Sequence, residues 1–487
     1  MHQSSRTIGG GYLNALTGQA LYSFHPAFTI SVLKWFHEDE LLVRGQMTIK
    51  IDPQLRDSLI LRIADGLKHV KFEFGSDVFP SSFRWALELN KLLNEESLSK
   101  ILKFCGSDGI ADFLYSEVSR FVTDNSSQLE ETEPDFLTEV DEFADPIVAA
   151  RNLVDSMLAL PRSYRVTVTM PRLMAKATSQ FLTRCKLRDG FELLRGLELP
   201  ADFPLQTGNN DRDRYLIPSR TGNEGNGDAI SYAPSDDGLY LEQRLSGYVG
   251  DRDSTPVLAE AADNLRCLLG ACTAVGLTQF FSFGLAETSS ARFVVHRMHN
   301  KKAEIVHTEE LPTDLLSFYS RAYVRQRPDD VPLAQFQKDW TNRLELVQRA
   351  FGDTDHCRRL YTACVWYLRS HLSADTLDSL LESTISIEAL LGDRQPNDRG
   401  PLSDLLGNRC AYLLGRSVTE RGQILESFKR IYKLRSNIVH TGKHSIEPLE
   451  RRTIRESREL CGKIIRRELH LNFKASSQDA AAGDLLP

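Results

Sequence analysis

Along the C-terminal part of the chain, apolar residues recur every three or four positions, which places them on one face of a helix. Leu333, Phe336, Trp340, Leu344 and Val347 form such a stripe within PLAQFQKDWTNRLELVQRAF. Helical spacing begins near Pro312 (PTDLLSFYSRAYV) and continues through HCRRLYTACVWYLRSHL and TLDSLLESTISIEALLG. The apolar residues of the latter two cover more than one face, as expected in the middle of a bundle. Gly392, Pro396 and Gly400 in GDRQPNDRG predict an interhelical loop. Three further helices are readable beyond it: PLSDLLGNRCAYLLG, TERGQILESFKRIYKLRSNIVHTG and EPLERRTIRESRELCGKIIRREL.

The N-terminal part mixes two periods. ALYSFHPAFTISVLKWF, LLVRGQMTIKID and SYRVTVTM alternate as strands do, whereas DSLILRIADGL, SSFRWALELNKLLN and PIVAARNLVDSMLAL have helical spacing. Positions 204–255 are rich in Gly, Asn, Asp, Ser and Pro and predict turns, in a lid or connecting loop. ARFVVHRM and AEIVHTEE predict a hairpin around Asn300, Lys301 and Lys302. The pattern thus predicts an α+β N-terminal region followed by an all-α C-terminal helical bundle. We divide the chain into residues 1–200 (α+β), 201–311 (loop-rich, with a helix and the hairpin, grouped with the N-terminal region), 312–475 (all-helical) and 476–487 (a flexible tail). No internal repeat is apparent.

A length of 487 residues exceeds one ordinary core, and 41% hydrophobic with 26% charged residues is the composition of a globular chain. No run reaches the roughly 18 uninterrupted apolar residues of a membrane span, and the opening MHQSSRTIGGGYLNALTG lacks a basic segment followed by an apolar one, so a cytoplasmic protein with no membrane contact is expected. The eight cysteines are scattered, without paired or zinc-like spacing, and read as reduced, buried side chains. A net charge of -7 hides an asymmetry. Positions 121–150 carry nine acids and no Lys or Arg, and read as a loop or poorly ordered surface; positions 408–467 are studded with Arg and Lys. A polyanion is drawn to the second segment and repelled by the first. Both runs also fit plain solvated surface.

Candidate chemistry concentrates in YKLRSNIVHTG, residues 432–442. Arg435 and His440 stand five apart near a predicted helix end, with Gly442 where a left-handed cap stops it. Five residues turn about 140° around an ideal helix, so the two side chains share one face only if the last turn distorts or the site is composite. The landmarks ISIEALLG, RCAYLLG and RSNIVH occur in that order from about Leu377 to Leu469. On these the segment resembles the Apea-like HEPN family, part of the HEPN superfamily of all-helical ribonucleases and RNA-binding modules. RSNIVH fits its pattern of Arg, four to six residues, then His.

The resemblance implies a HEPN-like bundle and a metal-independent endoribonuclease without cofactor, acting on RNA as a homodimer or higher homo-oligomer through that domain. It also implies a role in abortive antiphage defence or as a toxin, with the N-terminal region sensing a phage-derived trigger. The alternative is a non-catalytic HEPN module that binds RNA or serves as a scaffold. The residue types suit RNA cleavage. Attack of a ribose 2'-hydroxyl on its phosphate builds negative charge that the fixed guanidinium fork of Arg435 can stabilise, and protons must be moved, which a His440 imidazole does near neutrality. Either the acid or the base role suits His440. Ser436 and Asn437 are candidates to orient Arg435 or touch phosphate, and Tyr432 to stack on a base; helix surface and core are their competing readings. Glu388, polar in an apolar helix, is expected to pair with Arg409 or with the site.

Other constellations are weaker. His296, His299 and His307 lie on the hairpin, but residues three apart on a strand point to opposite faces, so no metal is expected there. The pairs Asp211/Asp213 and Asp251/Asp253 read as loop residues, and the glycine run at 9–11 lacks the Lys-Ser/Thr of a phosphate loop.

Overall fold

The computed structural model describes residues 49–73, 77–200, 203–205, 234–250, 255–280, 291–299, 302–393, 401–442 and 445–483. Outside them lie the alternating segment at 20–36 and most of that at 41–52, the glycine run at 9–11, Asp211, Asp213, Asp251, Asp253, the hairpin's Asn300 and Lys301, and loop residues 394–400.

Helices come first. α1 (Pro53–Leu67) starts on Asp52, whose carboxylate accepts the Gln54 amide, with proline in the first turn. A 3-10 helix (Pro80–Leu92), α2 (Glu95–Cys105) and α3 (Ile110–Asp124) follow. The acidic segment, expected as a loop, instead forms α4 (Ser126–Thr132) and single turns at Leu137–Glu139 and Asp141–Phe143. Buried Leu129, Leu137, Val140 and Phe143 anchor it while Glu131, Glu133, Asp141 and Glu142 stay exposed. Those anchors are too irregularly spaced to register as a period. α5 (Pro146–Leu158), capped by Asp145, leads into the sheet.

Strand β1 (Arg162–Thr169) is followed by α6 (Arg172–Thr178) and a hairpin of β2 (Arg184–Arg188) and β3 (Phe191–Arg195). The hairpin turns on Asp189 and Gly190, the latter at φ 70°, where a side chain is rarely tolerated. Then come β4 (Leu239–Gly247), α7 (Pro256–Ala274), β5 (Thr278–Phe280), β6 (Arg292–His299) and β7 (Lys302–Glu310). Six of these strands form one sheet in the order β2-β3-β4-β1-β6-β7, with every neighbouring pair antiparallel. The β6–β7 hairpin matches the sequence expectation, with His299 opposite Lys302. β4 does not: it lies inside the stretch read as turns, yet pairs with both β1 and β3. Its polar Glu242 and Gln243 are themselves buried, which blurs the alternation that marks a half-exposed strand.

Network chemistry fastens the N-terminal helices to this sheet. Glu117 of α3 accepts two hydrogen bonds from Arg162 of β1 (2.9 and 2.8 Å), one from the Tyr248 hydroxyl (2.9 Å) and one from Arg120 (3.1 Å). Burial by itself would raise the Glu117 carboxyl, but Arg162, Arg120 and Tyr248 outweigh it and hold it below the usual range.

The C-terminal region is helical: α8 (Thr313–Arg321), α9 (Leu333–Gln348), α10 (Asp355–Leu372), α11 (Thr376–Leu391), α12 (Leu402–Leu414), α13 (Val418–Thr441) and α14 (Pro448–Gly483). Only the end of the segment near Pro312 departs from the helical reading, because Ala322–Val324 (β8) pairs with β5 in a two-stranded sheet. Phe336, Trp340, Leu344 and Val347 are buried as their spacing predicts, whereas Leu333 stays exposed. Small hydroxyls line the bundle and are satisfied: Ser386 donates to the Ala363 carbonyl (2.7 Å), and Ser383 shares a hydrogen bond with Ser457 (2.7 Å). One continuous set of buried side chains runs from Tyr164 to Leu469, through sheet and bundle alike. α7 is its centre, buried nearly all round between β4 and α10. At Gly270 the α7 backbone approaches α10 so closely that an added Cβ would stand 2.1 Å from the Cys364 carbonyl oxygen. No helix among the described residues is long and apolar enough to cross a membrane.

Candidate functional site

α13 carries the candidate residues, and its C-terminal end is built as the sequence predicts. Ser417 and Glu420 form a reciprocal capping box at the start; Gly442 stops the helix at φ 63°, ψ 35°. Phe428, Ile431 and Leu434 are buried and turn one face into the bundle.

Arg435 sits at the edge of that face and reaches Glu388 of α11, its Nη2 lying 3.7 Å from Oε1, with side-chain exposures of only 18% and 13%. That distance makes an ion pair but exceeds a hydrogen bond. Tyr432 completes the group: its ring stacks on Phe428 (5.6 Å, 26°), carries the Arg435 guanidinium at 5.6 Å, and its hydroxyl donates to the Glu388 carboxylate. Oε1 of Glu388 accepts no hydrogen bond among the described residues. Burial raises the Glu388 carboxyl above its ordinary range, and Arg435 and Tyr432 offset this only in part. Of the two partners expected for Glu388, the structure selects the site: Arg409 instead donates to the Leu391 and Asp393 carbonyls at the end of α11.

His440 is placed differently. It lies about 7.5 Å further along the helix and about 140° round from Arg435, in the last turn, and is exposed. Within one chain the structure therefore joins Arg435, Tyr432 and Glu388 and leaves His440 apart. Ser436 is half-buried and Asn437 exposed, its carbonyl accepting the Thr441 hydroxyl. His440 shares its face instead with exposed Lys429 and Lys433, within an arc of about 40°. Lys429 pairs with Glu426 at 3.1 Å. Sequence reasoning listed these lysines only as bulk charge; their spacings of four and seven from one another to His440 were the signal that placed them together.

Near the start of α13, a cavity of about 380 Å³ opens between α12, α13 and α14, lined among others by Arg416, Gln423, Ser427, Glu459 and Lys463. On the hairpin, His296 is buried, packs at a tilt against Phe203 (4.3 Å between centroids, 44°) and hydrogen bonds to the Pro204 carbonyl. His307 stands opposite Val295, not His296, so the two imidazoles leave the sheet on different faces. Among the described residues no three His, Cys, Asp or Glu side chains gather closely enough to hold a metal ion. Comparison of the chain with protein-family models, with curated proteins and with solved structures finds no match.

Proposed function

We propose that this protein is a metal-independent endoribonuclease of HEPN type that works as a homodimer, each site combining Arg435 of one protomer with the partner's His440. The carrying observation is the pair's disposition on α13: a half-buried guanidinium held only loosely by Glu388, and an exposed imidazole just before the Gly442 cap. A second copy of the helix end, facing the first across a two-fold axis, supplies each arginine with a histidine that its own chain turns away. In the reaction the 2'-oxygen attacks the adjacent phosphorus, the bond to the 5'-oxygen breaks, and a cyclic phosphate and a free 5'-hydroxyl result. Arg435 stabilises the charge that grows on the phosphoryl oxygens, and His440 moves one of the two protons. Lys429 and Lys433 guide the RNA backbone toward His440, and Ser436 and Asn437 touch phosphate; Tyr432, whose ring is already taken by Phe428 and Arg435, positions Arg435 and does not stack on a base. We assign the activity to antiphage defence or to a toxin, with the N-terminal region receiving the trigger.

A second reading, a non-catalytic RNA-binding module, draws on the same Glu388 contact, which gives Arg435 a structural partner. RNA incubated with the purified protein in EDTA, with and without infected-cell extract, separates the two. The enzyme cleaves, and Arg435→Ala or His440→Ala slows it by at least about 100-fold. Mixing the two variants, each inactive alone, restores about a quarter of the native sites if the site is shared across the dimer. Binding without cleavage under both conditions rejects the enzyme; cleavage without rescue on mixing rejects the shared site.

A further inference from the structure

The segment RCAYLLG closes α12 beside the start of α13, at the opposite end of that helix from His440. Its Tyr412 is 69% exposed and is the only exposed Phe, Tyr or Trp among the described side chains. The guanidinium of Arg421, in the first turn of α13, lies over the Tyr412 ring at 4.7 Å. Arg421 is held in that place: its Nε donates to the Gly415 carbonyl at 3.2 Å, and its stem runs so close that a Cβ on Gly415 would stand 2.6 Å from Arg421 Cγ. Glycine at 415 is what lets the arginine lie there. Neither Arg421 nor Arg416 meets a carboxylate among the described residues. The neighbouring Glu420 carboxylate is engaged by the Arg416 and Ser417 amides (2.7 and 3.3 Å).

Tyr432 offers no such face, because Phe428 and Arg435 both lie against its ring. Tyr412 has one neighbour and leaves the rest of its ring to solvent. A second observation lies between this platform and the stripe of Lys429, Lys433 and His440. On the helix wheel Gly422 stands in line with His440 and within about 20° of both lysines. Glycine inside a helix is unfavourable. Here an added Cβ would meet nothing within 4 Å, so packing does not call for it. Its effect is to bare the helix backbone on the line that joins the stripe to Arg421.

We propose that Tyr412 and Arg421 form a stacking platform for an unpaired RNA base, on a strand that leaves the cleavage site past Lys433, Lys429 and Gly422. This rests on the RNA-cleaving role assigned to α13. Unpaired bases stack on aromatic rings and on guanidinium planes, and the unused donors of Arg421 and Arg416 suit the flanking phosphates. A duplex, whose bases stack on one another, has no base to offer. From His440 back to Arg421 the helix runs about 28 Å. That is about eight nucleotides at a stacked rise of about 3.4 Å each. The platform therefore acts on long strands and not on short ones.

The test is fluorescence anisotropy of the full chain in EDTA, with unstructured RNA strands of about 16 and about four nucleotides. Their 2'-hydroxyls are replaced by fluorine so that binding is read without cleavage, and cleavage is measured separately on unmodified strands. We expect Tyr412→Ala to weaken binding of the long strand by about 10-fold or more, Tyr412→Trp to restore it, and the short strand to bind all three alike. Gly422→Leu, which adds bulk where there is open space, should weaken the long strand without lowering Tm. If Arg435→Ala and His440→Ala abolish cleavage while Tyr412→Ala binds the long strand as the native chain does, the platform falls and the nuclease stands. If Tyr412→Ala loses the long strand and no RNA is cut, the nuclease falls and the platform stands. No binding of either strand, equal losses on both lengths or on a duplex, or a loss confined to poly-glutamate, which would mark a protein partner, overturns the platform.

Discussion

Two glutamates in this molecule each face an arginine across an element boundary, and they end in opposite states. Glu117 takes paired hydrogen bonds from Arg162, further ones from Tyr248 and Arg120, and is held below the ordinary carboxylate range. Glu388 meets Arg435 at 3.7 Å, gains one hydroxyl, and is pushed above it. Burial acts in the same direction on both; the number and closeness of donors decides the sign. A closed network of the first kind holds a fold together. A loose pair of the second kind leaves a guanidinium with donors to spare, as a phosphate-binding arginine requires.

The contrast can be broken by experiment. Glu117→Ala leaves Arg162 buried and unpaired, and should cost about 3–5 kcal/mol in chemical denaturation; a loss under about 1 kcal/mol would deny the network its structural role. Its pH dependence has a defined sign. Because the folded pKa of Glu117 is depressed, its stabilisation is present above the unfolded value of about 4.3 and is lost as pH falls through the lower folded value. Glu117→Gln should flatten that acid limb of the stability profile, and an unchanged limb would assign it to other carboxylates. Glu388→Gln is expected to have the smallest effect, within about 1 kcal/mol of neutral at pH 7 and in the stabilising direction. The raised folded pKa makes ionised Glu388 unfavourable once pH climbs past the unfolded value, and the penalty levels off above the folded one. A marked destabilisation by Glu388→Gln would place this pair in the same class as Glu117 and Arg162.

Much of the helical part was legible because packing there follows a period: Phe336, Trp340, Leu344 and Val347 are buried at the spacing that announces them. Gly442 was legible because a left-handed cap needs a residue without a Cβ. β4 was hidden by turn-rich flanks and buried polar residues, and α4 by a surplus of acids over a few irregular anchors. At the site, the candidates on α13 could be read locally. That Glu388 turns to Arg435 and not to Arg409 depends on which helices meet, which no local pattern encodes.

The contact at Gly270 has a mechanical consequence. With the α7 backbone seated on the Cys364 carbonyl, neighbouring positions of α7 carry side chains that cannot pass over that oxygen. Sliding one helix along the other would drive those side chains into it. A side chain at position 270 would have to push α7 and α10 apart, so this one glycine sets how closely the helix under the sheet lies on the bundle.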